Sequence, residues 1–222
     1  MALCSFGKGV QIFSNGVILS SESRLFQNPT QAKSFEPRLF LRYMPLHIGD
    51  PAPAFALQNS NPNHGDSIMN IDQACRGNGL IVVFECNHCP YVIASISRLE
   101  AMAMKARDLD IGFIGINSND PLVYPNDSFE HMQTRAQDMS YPYLHDATQE
   151  IAHAYDAKRT PEFFLFDSDL KLVYKGRMDD SPRDPTLVQT HELADAIDAM
   201  LDGNSPAVSI TESIGCSVKW KR

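Results

Sequence analysis

Two cysteines with two residues between them, Cys86 and Cys89, stand where one hydrophobic pattern gives way to another. Residues 80–84 before them are apolar and mostly branched, as expected of a central strand buried on both faces. Pro90 then opens a stretch with helical periodicity. The apolar positions of that stretch are Val92, Ile96, Leu99, Ala103 and Ala106. A Cys-x-x-Cys pair at such a strand–helix junction indicates a redox-active dithiol.

Further elements follow the pair. We predict a strand at 111–116, helices at 129–139 and 149–157, strands at 163–166 and 172–174, and a helix at 191–201. The short polar connection between the last two strands favours an antiparallel hairpin. A parallel βαβ half followed by a ββα half predicts an α/β fold, with a mixed central β-sheet flanked by helices on both faces.

The overall composition limits the kind of partner. The 222 residues are 43% hydrophobic and 21% charged, which suits one folded domain with appendages. The longest apolar run has about five residues, whereas a membrane-spanning helix needs roughly 20. Since the net charge is -8, phosphate backbones would be repelled. We therefore expect a soluble protein that binds neither membrane nor nucleic acid.

The distribution of charge predicts a boundary near residue 43. Residues 1–43 contain five basic and two acidic side chains, and the rest of the chain contains 14 basic and 25 acidic ones. We predict an unstructured N-terminal extension at 1–43, a folded domain at 44–204 and a C-terminal tail at 205–222. The extension is either a disordered or misassigned start, or a transit segment, because its apolar stretch is too interrupted for a secretory signal. The expected location is cytoplasmic, or mitochondrial or chloroplast if residues 1–43 are a transit peptide.

The cysteine pattern favours thiol exchange over the other uses of cysteine. Five scattered cysteines do not form a disulfide scaffold. A structural zinc site would need a second ligand pair, and haem attachment would need His where Pro90 stands. A helix N-terminus favours a thiolate, so Cys86 is predicted to attack and Cys89 to resolve the mixed disulfide. No metal and no organic cofactor are expected.

Four motifs carry a resemblance to a known family. They are GDPAPAF at 49–55, VFECNHCPYV at 83–92, TPEFFLFD at 160–167 and IGCSVKWK at 214–221. With them the chain resembles the thioredoxin-like superfamily, and within it the redoxin branch grouped with alkyl hydroperoxide reductase and thiol-specific antioxidant proteins (AhpC/TSA). The resemblance runs from about residue 45 to the C-terminus. It implies a thioredoxin fold and dithiol–disulfide chemistry.

The resemblance also gives a role to Thr160 and Pro161. A thioredoxin-like fold carries a cis-proline at this place, opposite the dithiol, where free backbone holds an extended substrate. An ordinary trans proline at the start of a strand is the alternative. We predict a cis bond between Thr160 and Pro161 and assign both residues to substrate binding.

Three residues around the pair depart from classical thioredoxins. Glu85 replaces their Trp, and Asn87-His88 replaces their Gly-Pro. A cationic His88 would lower the pKa of the Cys86 thiol, and a nearby Glu85 carboxylate would raise it. We expect His88 and the helix to dominate, because the Glu85 side chain can turn into water. The preceding strand offers no buried Asp, so His88, Glu85 or water must relay the proton.

Peroxide reduction is the alternative activity. A peroxiredoxin nucleophile lies in a Pro-x-x-x-Thr-x-x-Cys setting, and Gly79 and Val83 occupy those two positions here. We therefore expect a thiol–disulfide oxidoreductase serving redox homeostasis, with a thiol peroxidase second and a non-catalytic interaction domain third. The expected partners are protein or small-molecule disulfides and a thiol donor such as a thioredoxin or glutathione system. We expect a monomer.

Cys216 has two interpretations. It is either a third redox thiol that receives the disulfide from Cys86 and Cys89, or a free thiol packed under Trp220. Cys75 and Cys4 are expected to be incidental. His145-Asp146 follows a predicted strand and could lie near the site, although most histidines are expected to be structural or solvated.

Overall fold

A computed structural model describes residues 45–222 of the chain. The predicted extension at 1–43 lies outside these residues, and so does the boundary at residue 44. None of the described helices is long and apolar enough to cross a membrane.

The described residues form a seven-stranded sheet and an additional two-stranded ribbon. The strands are β1 Ala56–Asn59, β2 Ile68–Asn70, β3 Leu80–Phe84, β4 Gly112–Asn117, β5 Tyr143–His145, β6 Arg159–Thr160, β7 Glu162–Phe166, β8 Leu172–Gly176 and β9 Cys216–Ser217. The large sheet has the order β2-β1-β5-β4-β3-β7-β8, and the ribbon pairs β6 with β9. β3 is parallel to β4 and antiparallel to β7, which places it in the middle of a mixed sheet.

Within residues 45–222, five helices cover the sheet. They are α1 Ile71–Ala74, α2 Pro90–Asp108, α3 Phe129–Ala136, α4 Glu150–Tyr155 and α5 Glu192–Leu201. Two short 3₁₀ turns, Pro125–Asp127 and Pro185–Leu187, lie in the connections. α2 begins at a proline, whose fixed φ suits a first turn, and ends with Lys105 and Arg107 near its negative pole.

Alternate residues of β3 belong to two hydrophobic cores. Ile81 and Val83 pack with α2 and α5 on one face, and Leu80, Val82 and Phe84 pack with α1 and α4 on the other. Burial on both faces is why this strand is wholly apolar. The predicted α/β class is confirmed as a mixed sheet with helices on both faces, the thioredoxin fold.

Three details differ from the sequence analysis. The hairpin of β1 and β2 was not predicted, because its strands have only four and three residues and are half exposed. Ile96 is 42% exposed, and Ser95 takes its place on the buried face of α2. Residues 205–222, predicted as a tail, run back over the domain, with Ile210 bridging to Lys175 and β9 pairing with β6.

Candidate dithiol site

The two cysteines lie where the central strand leaves the sheet. β3 ends at Phe84, and Cys89 is the N-cap of α2. Both Cys86 and Cys89 are free thiols with no solvent exposure. Because β3 is held by a neighbour on each side, the loop that follows it starts from a fixed point.

Thr160 and Pro161 face the two sulfurs. The bond between them is cis, as predicted. The Cys86 Sγ lies 3.5 Å from the Thr160 Oγ1, and the Cys89 Sγ lies 3.1 Å from the Thr160 carbonyl oxygen. The structure thus brings together four of the residues that the sequence assigned to the site.

Glu85 does not turn into water, so that expectation was wrong. Its side chain has no solvent exposure and forms an ion pair with Arg135 of α3. The Tyr141 hydroxyl donates to its Oε1 at 2.9 Å, and Arg135 also donates to the Cys86 carbonyl at 2.8 Å. A side chain at Gly115 would collide with this carboxylate. Glu85 and Arg135 together therefore hold the cysteine loop to α3.

Asn87 and His88 are both attached to Asp127, a residue that the sequence analysis missed. The Asn87 N–H donates to Asp127 Oδ1 at 2.7 Å, and His88 Nδ1 lies 2.5 Å from Asp127 Oδ2. Asp127 comes from the 3₁₀ turn after β4 and has no solvent exposure. The His88 ring stacks on Tyr124 with centroids 4.6 Å apart. A buried carboxylate and an oriented imidazole therefore lie beside Cys86.

Asp127 is hydrogen-bonded to neutral groups and to His88. Asn119 Nδ2 donates to its Oδ2 at 2.9 Å, and Asn117 Nδ2 reaches its Oδ1 at 3.4 Å. The sequence signal was weak, since Asn117 and Asn119 follow the predicted strand at 111–116 without forming a recognisable motif. No periodicity singles out Asp127 within its short 3₁₀ turn.

Cys216 lies close to Cys89. In the β6–β9 ribbon it stands opposite Thr160, whose carbonyl oxygen lies 3.1 Å from the Cys89 sulfur, and its side chain packs against the cluster that contains Cys86 and Cys89. Trp220 stacks on His153 of α4 with centroids 4.1 Å apart. Cys216 is half-buried, in contrast to Cys86 and Cys89.

The two buried thiols titrate as a pair, because their sulfurs share a hydrogen bond. That bond raises the pKa of Cys86 well above its usual range and lowers the pKa of Cys89 to about 4. The sequence analysis had placed the thiolate on Cys86. After one thiol has ionised, the pair keeps one proton. If Cys89 carries this proton, its thiol donates to the Thr160 carbonyl. The low pKa belongs to the pair as a unit.

Burial also affects the third thiol. Burial, together with the hydrogen bond and the negative charge at Cys89, raises the pKa of Cys216 to about 11, against the opposing effect of Lys219 and Arg159. Cys216 is therefore protonated at neutral pH when the pair is reduced.

Cys86, His88 and Asp127 also form a possible set of metal ligands. One donor atom from each lies within 4.8 Å of the other two. Thiolate, imidazole and carboxylate are donors that zinc accepts. However, His88 and Asp127 are hydrogen-bonded to each other. The absence of a metal requirement stays a prediction.

His145 and Asp146 serve the fold. The His145 ring packs on Phe129, and burial lowers the pKa of His145. Asp146 accepts hydrogen bonds from the Ser118 hydroxyl at 2.8 Å and from the Ala152 N–H at 2.9 Å. These contacts join β4, β5 and α4.

Comparisons with known proteins give one family and many similar solved structures. The AhpC/TSA family matches residues 48–175, more than half of the chain. An uncharacterized conserved protein from Geobacillus kaustophilus is 39% identical with a TM-score of 0.73, over 79% of this chain and 93% of that one. A hypothetical protein from Sinorhizobium meliloti 1021 is 31% identical with a TM-score of 0.72, over 80% and 97%. No curated protein matches.

Proposed function

The chain belongs to the AhpC/TSA family, and on that premise we propose that it is a thiol–disulfide oxidoreductase whose redox couple is Cys86–Cys89. Membership of this family establishes a thiol redox function. Thiol–disulfide exchange as the particular reaction is our proposal. The observation that carries it is the convergence of both sulfurs on Thr160, next to cis-Pro161. An intact dithiol in this setting is not needed by a domain that only binds partners.

In the proposed reaction Cys86 attacks and Cys89 resolves. The Cys86 thiolate attacks one sulfur of a substrate disulfide, and the other sulfur leaves as a thiolate. Cys89 then attacks the Cys86 sulfur, which forms the Cys86–Cys89 disulfide and releases the second substrate thiol. The substrate gains two electrons and two protons, and the protein loses them. An external thiol, of the glutathione or thioredoxin type, returns the pair to the reduced state.

For Cys86 to attack, the negative charge of the pair must move from Cys89 to Cys86, which happens when one proton moves from Cys86 to Cys89. When Cys89 takes the remaining proton, its thiol donates to the Thr160 carbonyl, and the Thr160 hydroxyl donates to the Cys86 thiolate. The His88–Asp127 pair is a second acceptor, since its polar atoms lie within 4.8 Å of the Cys86 sulfur. This pair takes the role of proton relay that the apolar strand β3 cannot supply.

Asn87 affects the dithiol by holding the cysteine loop in place. Its Oδ1 accepts a hydrogen bond from the Tyr143 hydroxyl at 2.9 Å, and its Nδ2 donates to the Asn126 carbonyl at 2.8 Å. Asn87 thereby links the cysteine loop to β5 and to the turn that carries Asp127. We propose that Glu85 contributes in the same way, through Arg135 and not through its own charge.

Peroxide reduction remains the second candidate. The Thr160 hydroxyl lies 3.5 Å from the Cys86 sulfur and could also donate to a peroxide oxygen there. Against this, the guanidinium of Arg135 is occupied by Glu85 and by the Cys86 carbonyl, so it is not directed at the sulfur.

A trapping experiment tests the assignment of roles. Full-length Cys89→Ser should accumulate a mixed disulfide between Cys86 and a model protein disulfide, because the resolving thiol is missing. Cys86→Ser should trap far less, and Cys75→Ser, which changes a half-buried thiol in the loop after α1, should behave as the wild type. Mass spectrometry of the trapped species identifies the linked cysteine. Equal trapping by Cys86→Ser and Cys89→Ser would contradict the assignment.

A further inference from the structure

The C-terminal strand occupies the backbone edge next to cis-Pro161. β9 is antiparallel to β6, with Cys216 opposite Thr160, and the Val218 N–H donates to the Lys158 carbonyl at 3.1 Å. Gly215 fits so closely that a side chain there would collide with the Thr160 carbonyl. This edge is the one proposed to hold an extended substrate. The protein's own chain therefore lies where a substrate strand would, with a cysteine beside the redox pair.

The three sulfurs differ in their access to solvent. Cys86 and Cys89 have no exposure, whereas Cys216 is half-buried. The Cys216 side chain packs against the cluster that contains Cys86 and Cys89, and Cys216 stands opposite Thr160, which contacts both of their sulfurs. An external thiol that approaches the folded protein can reach Cys216 before it can reach the pair.

We propose that Cys216 is the third catalytic thiol, which exchanges with the Cys86–Cys89 disulfide at Cys89 and presents the disulfide to an external thiol. The inference rests on the proposed function, because it needs a Cys86–Cys89 disulfide to act on. It assigns a route of re-reduction, and the substrate class is glutathione or a protein dithiol.

Exchange between Cys216 and the Cys86–Cys89 disulfide conserves atoms and electrons. The Cys216 thiolate attacks the Cys89 sulfur, the Cys89–Cys216 bond forms, the Cys86–Cys89 bond breaks, and its electron pair leaves with Cys86. The proton lost by Cys216 is balanced by the one that the His88–Asp127 pair returns to Cys86. One external thiol then attacks the Cys216 sulfur and releases Cys89 as a thiol. A second external thiol frees Cys216, so two external thiols become one external disulfide.

The charges around Cys216 suit this order of events. In the reduced protein a charge at Cys89 helps to raise the pKa of Cys216 to about 11. In the Cys86–Cys89 disulfide Cys89 carries no charge, and the cations of Lys219 and Arg159 still lower the pKa of Cys216. The thiol thus becomes more acidic in the oxidation state in which it has to attack.

The test measures the re-reduction rate of the full-length protein. Wild type, Cys216→Ser, Cys216→Ala and the control Cys75→Ser are oxidised with a stoichiometric amount of diamide and mixed with glutathione. Because Cys216 acts as a thiol at high effective concentration, both Cys216 variants should be reduced about tenfold more slowly than the wild type and the control. Reduction of the two Cys216 variants at the wild-type rate would overturn the proposal.

Disulfide mapping gives a second readout that does not depend on rates. Oxidised Cys86→Ser should contain a Cys89–Cys216 disulfide after alkylation and proteolysis, and its absence would count against the contact that the proposal needs. Failure of the proposed function would look different. In that case wild-type protein would not exchange with a protein disulfide at all, whereas a failed inference leaves that exchange intact in Cys216→Ser.

Discussion

Two buried carboxylates flank the dithiol, and their partners differ. Glu85 is paired with a guanidinium and a tyrosine hydroxyl, whereas Asp127 is held by amide N–H groups and by the imidazole of His88. Neither side chain has solvent exposure. A guanidinium keeps its proton at any physiological pH, so Glu85 fixes the loop, while an imidazole can gain or lose one, so Asp127 can take part in proton transfer. Glu85 thus anchors the loop, and Asp127 has the partners that the proposed proton transfer needs.

The largest expected effect is on stability, at the Glu85 side. Arg135→Ala leaves the Glu85 carboxylate buried without its cation, and breaking a buried pair in this way costs about 3–5 kcal/mol of unfolding free energy. Urea denaturation of the reduced protein measures it. The matched control is Lys105→Ala, whose exposed pair with Asp198 should contribute no more than about 1 kcal/mol. Similar losses in the two variants would remove the architectural role of Glu85.

The second effect is on rate, at the Asp127 side. The charge of Asp127 raises the pKa of Cys86, so Asp127→Asn should make the Cys86 thiol more acidic. If repulsion were its only role, exchange with a protein disulfide would become faster. If Asp127 instead acts as a proton acceptor, its loss should slow exchange by about 100-fold at neutral pH. Stopped-flow rates from pH 6 to 10 separate these outcomes, since a missing acceptor leaves a rate that still climbs with pH.

Direct titration of the thiols distinguishes the buried pair from Cys216. The lower pKa of the buried pair, about 4 and assigned to Cys89, means that one thiolate is present at neutral pH and is lost as the pH falls through that value. Cys216, with a pKa of about 11, contributes none at neutral pH. Absorbance at 240 nm of reduced minus oxidised protein should therefore drop by one thiolate between pH 7 and 3. Cys89→Ser should lack that step, and a wild-type midpoint near 9 would refute the lowered pKa.

The smallest effect concerns the orientation of His88. Tyr124→Leu removes the stacked ring, and such pairs contribute about 0.5–1.5 kcal/mol, so exchange should slow by roughly two- to tenfold. Stability should change little, because Tyr124 is only half-buried. A matched Tyr91→Leu change, on a half-buried ring of α2, should leave the rate unaltered. If both variants have the same rate, stacking does not position the imidazole.

The sequence predicted those parts of the site that depend on local order. The apolar β3, the proline at the start of α2 and the Cys-x-x-Cys between them lie within about 30 residues, and the Thr160–Pro161 signal lies just before a strand. The carboxylate partners could not be predicted in this way. Asp127 is 40 residues from the Asn87 N–H, and Arg135 is 50 residues from Glu85. Their positions depend on how loops pack over the sheet, for which a single sequence has no periodic signal.

In the fold, too, segments with a strong local pattern were predicted and segments without one were not. Long, strongly patterned segments such as β3 and α2 were predicted, whereas the short, half-exposed hairpin of β1 and β2 was not. A return of Cys216 to the dithiol was one of two interpretations, but its strand pairing with Thr160 was not predicted, because it joins positions 56 residues apart.

The measurement that tests the central claim most directly is stopped-flow oxidation of the fully reduced protein. One series uses a model protein disulfide and the other uses hydrogen peroxide, each with wild type, Cys86→Ser and the control Cys75→Ser. We predict rapid consumption of the disulfide that depends on Cys86, with negligible reaction with peroxide. Fast, Cys86-dependent turnover of peroxide without disulfide exchange would contradict the account and identify a thiol peroxidase.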